Sequence, residues 1–149
     1  MIAAARVFVL VLLGVFATAD VVSAKTITST ATEWGLLGTW RIDCSAPPSR
    51  ADAVLKYVVR AGKLFHDRDW GDGKDSNPVL SASVTGEGGL EVLVKFDSIK
   101  QTRQWTLIKG DDGRIRTLSN RNVDTDEYAI RDGKLTANGN TSLWLAHCR

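Results

Sequence analysis

From Trp34 to the C-terminus the apolar residues recur with period two, in runs of about six to eight residues broken by Gly, Asp and Asn. No stretch sustains the 3.6-residue period of a long helix. Such a chain folds strand after strand. The alternation predicts strands over residues 37–44, 53–60, 63–70, 79–85, 90–97, 101–109, 114–120, 126–131 and 142–148, with a short additional strand at 134–137. Ala61-Gly62, Asp111-Asp112-Gly113, Asp132-Gly133 and Asn138-Gly139 supply turn residues that accept positive φ in tight hairpins. Pro47-Pro48 and Pro78 are expected in connections, where a missing amide donor costs no ladder bond.

Short links between successive strands make neighbours antiparallel. A meander of this kind leaves two raw edges, which are removed when the sheet curls until its first and last strands pair. The expected fold class is therefore all-β, a single antiparallel up-and-down β-barrel of about eight to ten strands. A two-sheet sandwich is the rival architecture. The inward face should carry Trp40, Ile42, Leu55, Tyr57, Val59, Leu90, Val92, Val94, Phe96, Trp105, Leu107, Tyr128 and Ile130, with Glu91, Lys95, Asp97, Thr106 and Arg131 facing water.

Residues 1–24 read as a secretory signal peptide: Arg6, an apolar run over 7–16, and Val22-Ser23-Ala24 as the cleavage site. An uncleaved anchor is the alternative, but Asp20 interrupts the run well short of the roughly 20 apolar residues a span needs. Residues 25–36, rich in Thr and Ser at their start, are read as a mobile or draping N-terminal arm, and 37–149 as one β-barrel domain. The expected location is periplasmic or secreted, with no stable membrane insertion once the signal is cleaved. The 19 bases and 17 acids give a net charge of +2, too balanced for a dedicated nucleic-acid binder. In an oxidising compartment Cys44 and Cys148 most simply form one bridge; two free thiols, or pairing between chains, are the alternatives. Each Cys closes a Trp-x-x-x-Cys pattern. If the strand count is even, bridging two strand ends that point apart requires a staggered register or a cysteine already in a loop.

Gly38-Thr39-Trp40, opening the first strand, resembles the Gly-x-Trp of the lipocalin and wider calycin group of small secreted barrels. The segment Thr125-Asp126-Glu127-Tyr128 is similar to that group's Thr-Asp-Tyr segment with Glu127 inserted, and Arg149 could be its basic residue that packs on the Gly-x-Trp tryptophan. The resemblance implies a barrel that holds a small, mostly apolar molecule and no cofactor chemistry. His147 sits where one haem-binding branch of that group has its histidine, but beside the presumed bridge cysteine, and no cofactor is expected.

An eight-stranded barrel is either filled by its own side chains or just wide enough for one small ligand. Arg103 shares a strand face with Trp105 and Leu107, and His66 and Arg68 share one with Leu64 and Trp70, so an internal guanidinium could clamp a carboxylate head. The alternative is that the opposite face turns inward and leaves these groups in water. The candidate ligand-binding residues are Tyr57, His66, Arg68, Arg103, Trp105 and Tyr128; Gly38, Trp40, Cys44 and Cys148 are structural candidates. The acidic stretch after His66 fails calcium-loop spacing, since the twelfth position from Asp67 is Pro78, and it is read as a solvated hairpin end. Neither histidine lies at ligand spacing from the cysteines, so no metal site is expected. Lys100, Arg103, Lys109, Arg114, Arg116 and Arg121 form a locally basic stretch that reads as solvated charge or as a dock for an acidic partner. There is no Gly-x-Ser-x-Gly elbow and no phosphate loop, so the chain does not read as an enzyme. Two functions follow: an exported barrel binding a small amphipathic ligand, or a secreted β-barrel inhibitor or envelope-interaction module with a filled core that acts on a protein partner.

Overall fold

A computed structural model describes residues 26–149; the signal-peptide reading of residues 1–24 lies outside the described residues. The described residues form one α-helix, α1 (Ile27–Trp34), a short 3-10 turn (Asp97–Ile99) and ten strands: β1 (Gly38–Arg41), β2 (Val54–Arg60), β3 (Lys63–Asp69), β4 (Lys74–Val84), β5 (Leu90–Phe96), β6 (Gln101–Lys109), β7 (Ile115–Asn122), β8 (Tyr128–Arg131), β9 (Lys134–Leu135) and β10 (Ala146–Cys148). Every strand pairs antiparallel with its neighbour in the order β10-β1-β2-β3-β4-β5-β6-β7-β8-β9. The fold is thus all-β and antiparallel, with the tenth strand at 134–135 where the alternation placed it. β9 and β10 are the ends of the ladder. Leu145, one residue before β10, makes an isolated antiparallel bridge to Ile115 of β7, with N to O distances of 3.0 and 2.8 Å.

Because directions alternate, the turns fall into two sets. The β2–β3 turn, the β4–β5 turn and the end of β6 lie together, and α1 is laid across all three. Thr28 Oγ1 donates to Gly62 O at 3.1 Å, Trp34 Nε1 donates to Gly88 O at 2.9 Å, and Lys109 Nζ bonds Trp34 O while lying 4.5 Å from the Trp34 ring centroid. Of the two readings of the N-terminal arm, mobile or draping, the segment from Thr26 takes the second, as a helix. Thr and Ser are indifferent helix formers, which is what the sequence shows on its surface. The ends are nevertheless capped: Thr26 Oγ1 accepts from Ser29 N at 3.1 Å, and Gly35 closes the helix at φ +83°. Ala31 and Leu36 are fully buried against the sheet, and that burial decides the conformation.

The core follows the alternation through β5 and β6, where Leu90, Val92, Val94, Phe96, Trp105 and Leu107 are buried. Leu55 and Val59 are half-buried against it. Ile42 does not join them; it is 41 % exposed, because β1 ends at Arg41 and the chain turns away. Pro78 also departs from expectation by lying inside β4, paired with Phe65. The chain leaves the ladder with β3 there and takes up the ladder with β5, with a register shift between Val79 and Ser81, so no ladder donor is demanded of the proline.

β1 and β10 pair as Thr39 with Cys148, Trp40 with His147 and Arg41 with Ala146. The strand count is even, and Cys44 lies in the turn beyond β1, the second of the two solutions that parity allowed. Cys44 and Cys148 form the disulfide, with Cα atoms 5.5 Å apart. The ring that meets Trp40 is that of His147, at 4.7 Å, in place of the Arg149 that the resemblance implied. Position 38 requires glycine in this chain: its φ is +123°, and a Cβ there would lie 2.0 Å from His147 Nε2. Trp40 Nε1 donates to Leu36 O at 2.8 Å, tying β1 to the segment that follows α1.

Candidate functional site

At the end of the sheet away from α1, the last residues of β3, β5 and β7 and the first of β6 come together. This puts Arg68, Phe96, Asn120 and Arg103 around one opening. Below it a cavity of about 370 Å³ runs inward past Tyr57, His66 and Trp105 to Leu107 and Ile115, with Trp40, Leu55 and Leu145 on its β1–β10 side. The volume lies within the ordinary range for small-molecule sites, roughly 300–1,000 Å³. Five of the six expected ligand-binding residues, Tyr57, His66, Arg68, Arg103 and Trp105, therefore line one space. Tyr128 does not. It borders a shallow outer groove with Arg131 and Thr136, and Arg103 and Ala129 border both spaces.

Strand register explains the grouping. Tyr57 pairs with His66 across β2–β3, so both rings project on one face and stack 4.7 Å apart at 29°. The His66 ring also meets Trp105 edge-on at 5.2 Å and Phe96 at 6.1 Å. His66 is only 3 % exposed, and neither ring nitrogen has a hydrogen-bond partner. Burial, helped by the nearby Arg68 cation, lowers the imidazole from its ordinary 6.5 to about 3, so the ring is neutral at physiological pH. Burial also raises the Tyr57 phenol well above its usual value.

The two guanidinium groups differ in their company. Arg68 forks onto Asp75, with Nε 2.9 Å from Oδ1 and Nη2 on Oδ2, and lies 4.4 Å above the Phe96 ring. Burial alone would raise the Asp75 pKa, but hydrogen bonds from Arg68 and from Asn77 Nδ2, at 2.8 Å, leave it lowered. The charge of Arg68 is thus matched. Arg103 binds only neutral amide oxygens, Nε to Gln101 Oε1 at 3.0 Å and Nη1 to Asn120 Oδ1 at 2.7 Å. Among the described residues no carboxylate lies in ion-pair contact with it.

Asp75, Gln101 and Asn120 were not singled out from sequence. For Gln101 the signal was available, since it shares the face of Arg103 and Trp105. Asp75 lay in a stretch read as a solvated hairpin end, and its tip at residues 70–73 is a turn, but the strands behind it carry the Arg68–Asp75 pair. The basic stretch is not one face. Arg103 borders the cavity, Lys109 rests on Trp34, Arg114 and Arg116 lie 5.9 and 4.9 Å from the Trp144 ring, and Arg121 pairs with Asp126 at 2.8 Å. Among the described residues no group of three or more His, Cys, Asp or Glu side chains is gathered as metal ligands. No helix among them is long and apolar enough to cross a membrane.

The buried neutral His66 has a measurable consequence. The unfolded chain takes up a proton near pH 6.5 and the folded chain only near 3, so the stability that comes from burying the neutral ring is present above 6.5 and lost as pH falls between the two values. The slope approaches about 1.4 kcal/mol per pH unit. Asp67 and Asp75, both lowered from 3.8, add their own loss only below that value. Urea unfolding from pH 7 to 4 should show a declining stability in the native chain and a markedly flatter profile in His66→Phe. Parallel profiles would mean that the imidazole is not held neutral.

Comparison of this chain with protein-family models, with curated proteins and with solved structures finds no match.

Proposed function

We propose that this chain is an exported, lipocalin-like barrel that holds one small amphipathic molecule. The observation that carries the reading is the cavity itself: an aromatic interior whose mouth bears a guanidinium with no carboxylate partner. The β1–β10 ladder, together with the Leu145–Ile115 bridge to β7, supports a sheet curled round that space. α1 then covers one end and leaves the other as the way in. The disulfide fits an oxidising compartment outside the cytoplasm. The alternative of an inhibitor or envelope-interaction module called for a filled core; the cavity weighs against it.

The test is a neutral fluorescent probe. N-phenylnaphthylamine, which brightens in apolar surroundings, should bind the native chain saturably, and Thr117→Phe, which fills the cavity from β7, should weaken it at least about tenfold with the fold retained by circular dichroism. Equal binding by both proteins would place the probe elsewhere, and no binding by the native chain would overturn the reading.

A further inference from the structure

We infer that the occupant of this cavity is a small flat monocarboxylate that also carries a neutral hydroxyl or carbonyl group, with Arg103 holding the carboxylate and His66 the neutral group. The inference rests on the ligand-binding reading and narrows it to one class of molecule.

Charge sets the first requirement. The cavity wall carries two guanidinium groups, and Asp75 cancels one of them. The other, Arg103, meets only the amide oxygens of Gln101 and Asn120, so the mouth holds one uncompensated positive charge. In the outer groove that Arg103 shares, Asp126 is engaged by Arg121, and Glu127 accepts from Thr125 Oγ1 at 3.2 Å. A half-buried cation of this kind is best satisfied by a single negative charge, and a carboxylate matches the planar fork of the guanidinium. A phosphate dianion would leave one charge unmatched.

His66 sets the second. A buried polar atom without a partner is destabilising, and this ring has two. The rings of Tyr57, Phe96 and Trp105 pack around it, and none of them hydrogen-bonds either nitrogen. A ligand hydroxyl or carbonyl in the cavity would partner a ring nitrogen. The neutral imidazole can donate from one nitrogen and accept at the other, so it suits a neutral group and has no preference for a second anion.

Spacing and shape set the third. Arg103 and Trp105 lie on one face of β6, two residues or about 7 Å apart along the strand, and the Trp105 ring touches His66. The carboxylate and the neutral group therefore sit at opposite ends of a body of roughly 7–10 Å. Aromatic rings on several sides favour a flat body.

Three probes separate these requirements by isothermal titration calorimetry at neutral pH: p-coumarate, with both groups; cinnamate, without the hydroxyl; and cinnamyl alcohol, without the carboxylate. The native chain should bind p-coumarate about 5- to 10-fold tighter than cinnamate, and cinnamate at least about 10-fold tighter than cinnamyl alcohol. His66→Phe should bring p-coumarate down to the level of cinnamate and leave cinnamate unchanged. Arg103→Met should weaken both acids far more than the alcohol. Equal affinities of the native chain for p-coumarate and cinnamate, or a hydroxyl preference that survives in His66→Phe, would remove His66 from recognition. An Arg103→Met variant that weakens all three probes alike would remove the charge argument. Failure of all three probes to bind while N-phenylnaphthylamine does bind overturns the ligand class and leaves the binding reading standing; failure of N-phenylnaphthylamine as well overturns both.

Discussion

Replacing both bridge cysteines, Cys44→Ala with Cys148→Ala, is expected to lower unfolding stability by roughly 4 kcal/mol, which for a domain of this size is a fall in melting temperature of about 15 °C. The bond spans 104 residues, so it closes almost the whole described chain into one loop and removes most of the freedom of its unfolded state. It also acts where the ladder is thinnest. β10 is three residues long and is held to β1 by three paired positions, while one flank makes only the Leu145–Ile115 bridge. Differential scanning calorimetry on the native and double-alanine chains gives the figure directly. A shift below about 4 °C would mean that β10 is held by its ladder and by the Trp40–His147 contact alone. Hydrogen exchange then locates the loss: residues 145–148 and 38–41 should lose protection first, before β5 and β6.

That contrast between β10 and β5–β6 also marks how far the fold could be read from the sequence. β5 and β6 alternate strictly, Leu90-x-Val92-x-Val94-x-Phe96 and Arg103-x-Trp105-x-Leu107, and each is central in the sheet. One face there has a single solution, and burial follows it. The edges are different. In β8 a register shift against β7 pairs Ile130 with Asn120 and Tyr128 with Arg121, successive residues on opposite faces of β7, so Tyr128 and Ile130 do not share one inward face, and both stay half-exposed. The alternation alone puts Tyr128 in the cavity; the register shift, which no local pattern announces, leaves it on the outer groove. α1 is not legible in the sequence either: Thr and Ser carry no helical stripe, and the helix exists because two turns and the end of β6 receive Thr28 and Trp34 while Ala31 is buried. Such a platform is made by residues more than 25 positions away, and no local window contains it. The cavity residues were legible through parity, since Arg103 and Trp105 had to share a face. Which guanidinium would be neutralised was not legible, because Arg68 meets Asp75 only through the β3–β4 register.

The second large effect is expected at Asp52, in the loop that carries Cys44. Arg41 directly follows the buried Trp40, and its side chain is 6 % exposed against 14 % for Asp52. The guanidinium donates to Asp52 Oδ2 at 3.0 Å and to the carbonyls of Ala46, Pro47 and Asp52, while the two Asp52 oxygens accept the backbone N–H groups of Ile42 and Asp43 at 2.9 and 3.1 Å. One carboxylate thus neutralises a buried cation and fixes the turn that delivers Cys44 to Cys148. Asp52→Ala removes the countercharge and orphans two backbone donors, and should cost about 3–5 kcal/mol by urea unfolding. Asp52→Asn keeps an acceptor and the shape and should lose less. Arg41→Met combined with Asp52→Ala should recover a large part of the loss, because the penalty lies in stranding the charge and not in lacking the pair. A loss below about 1 kcal/mol for Asp52→Ala would show that the carbonyls alone satisfy Arg41. Adding the double cysteine replacement to Asp52→Ala should cost less than the sum of the two, since both constraints hold the same loop and a loop released once cannot be released again.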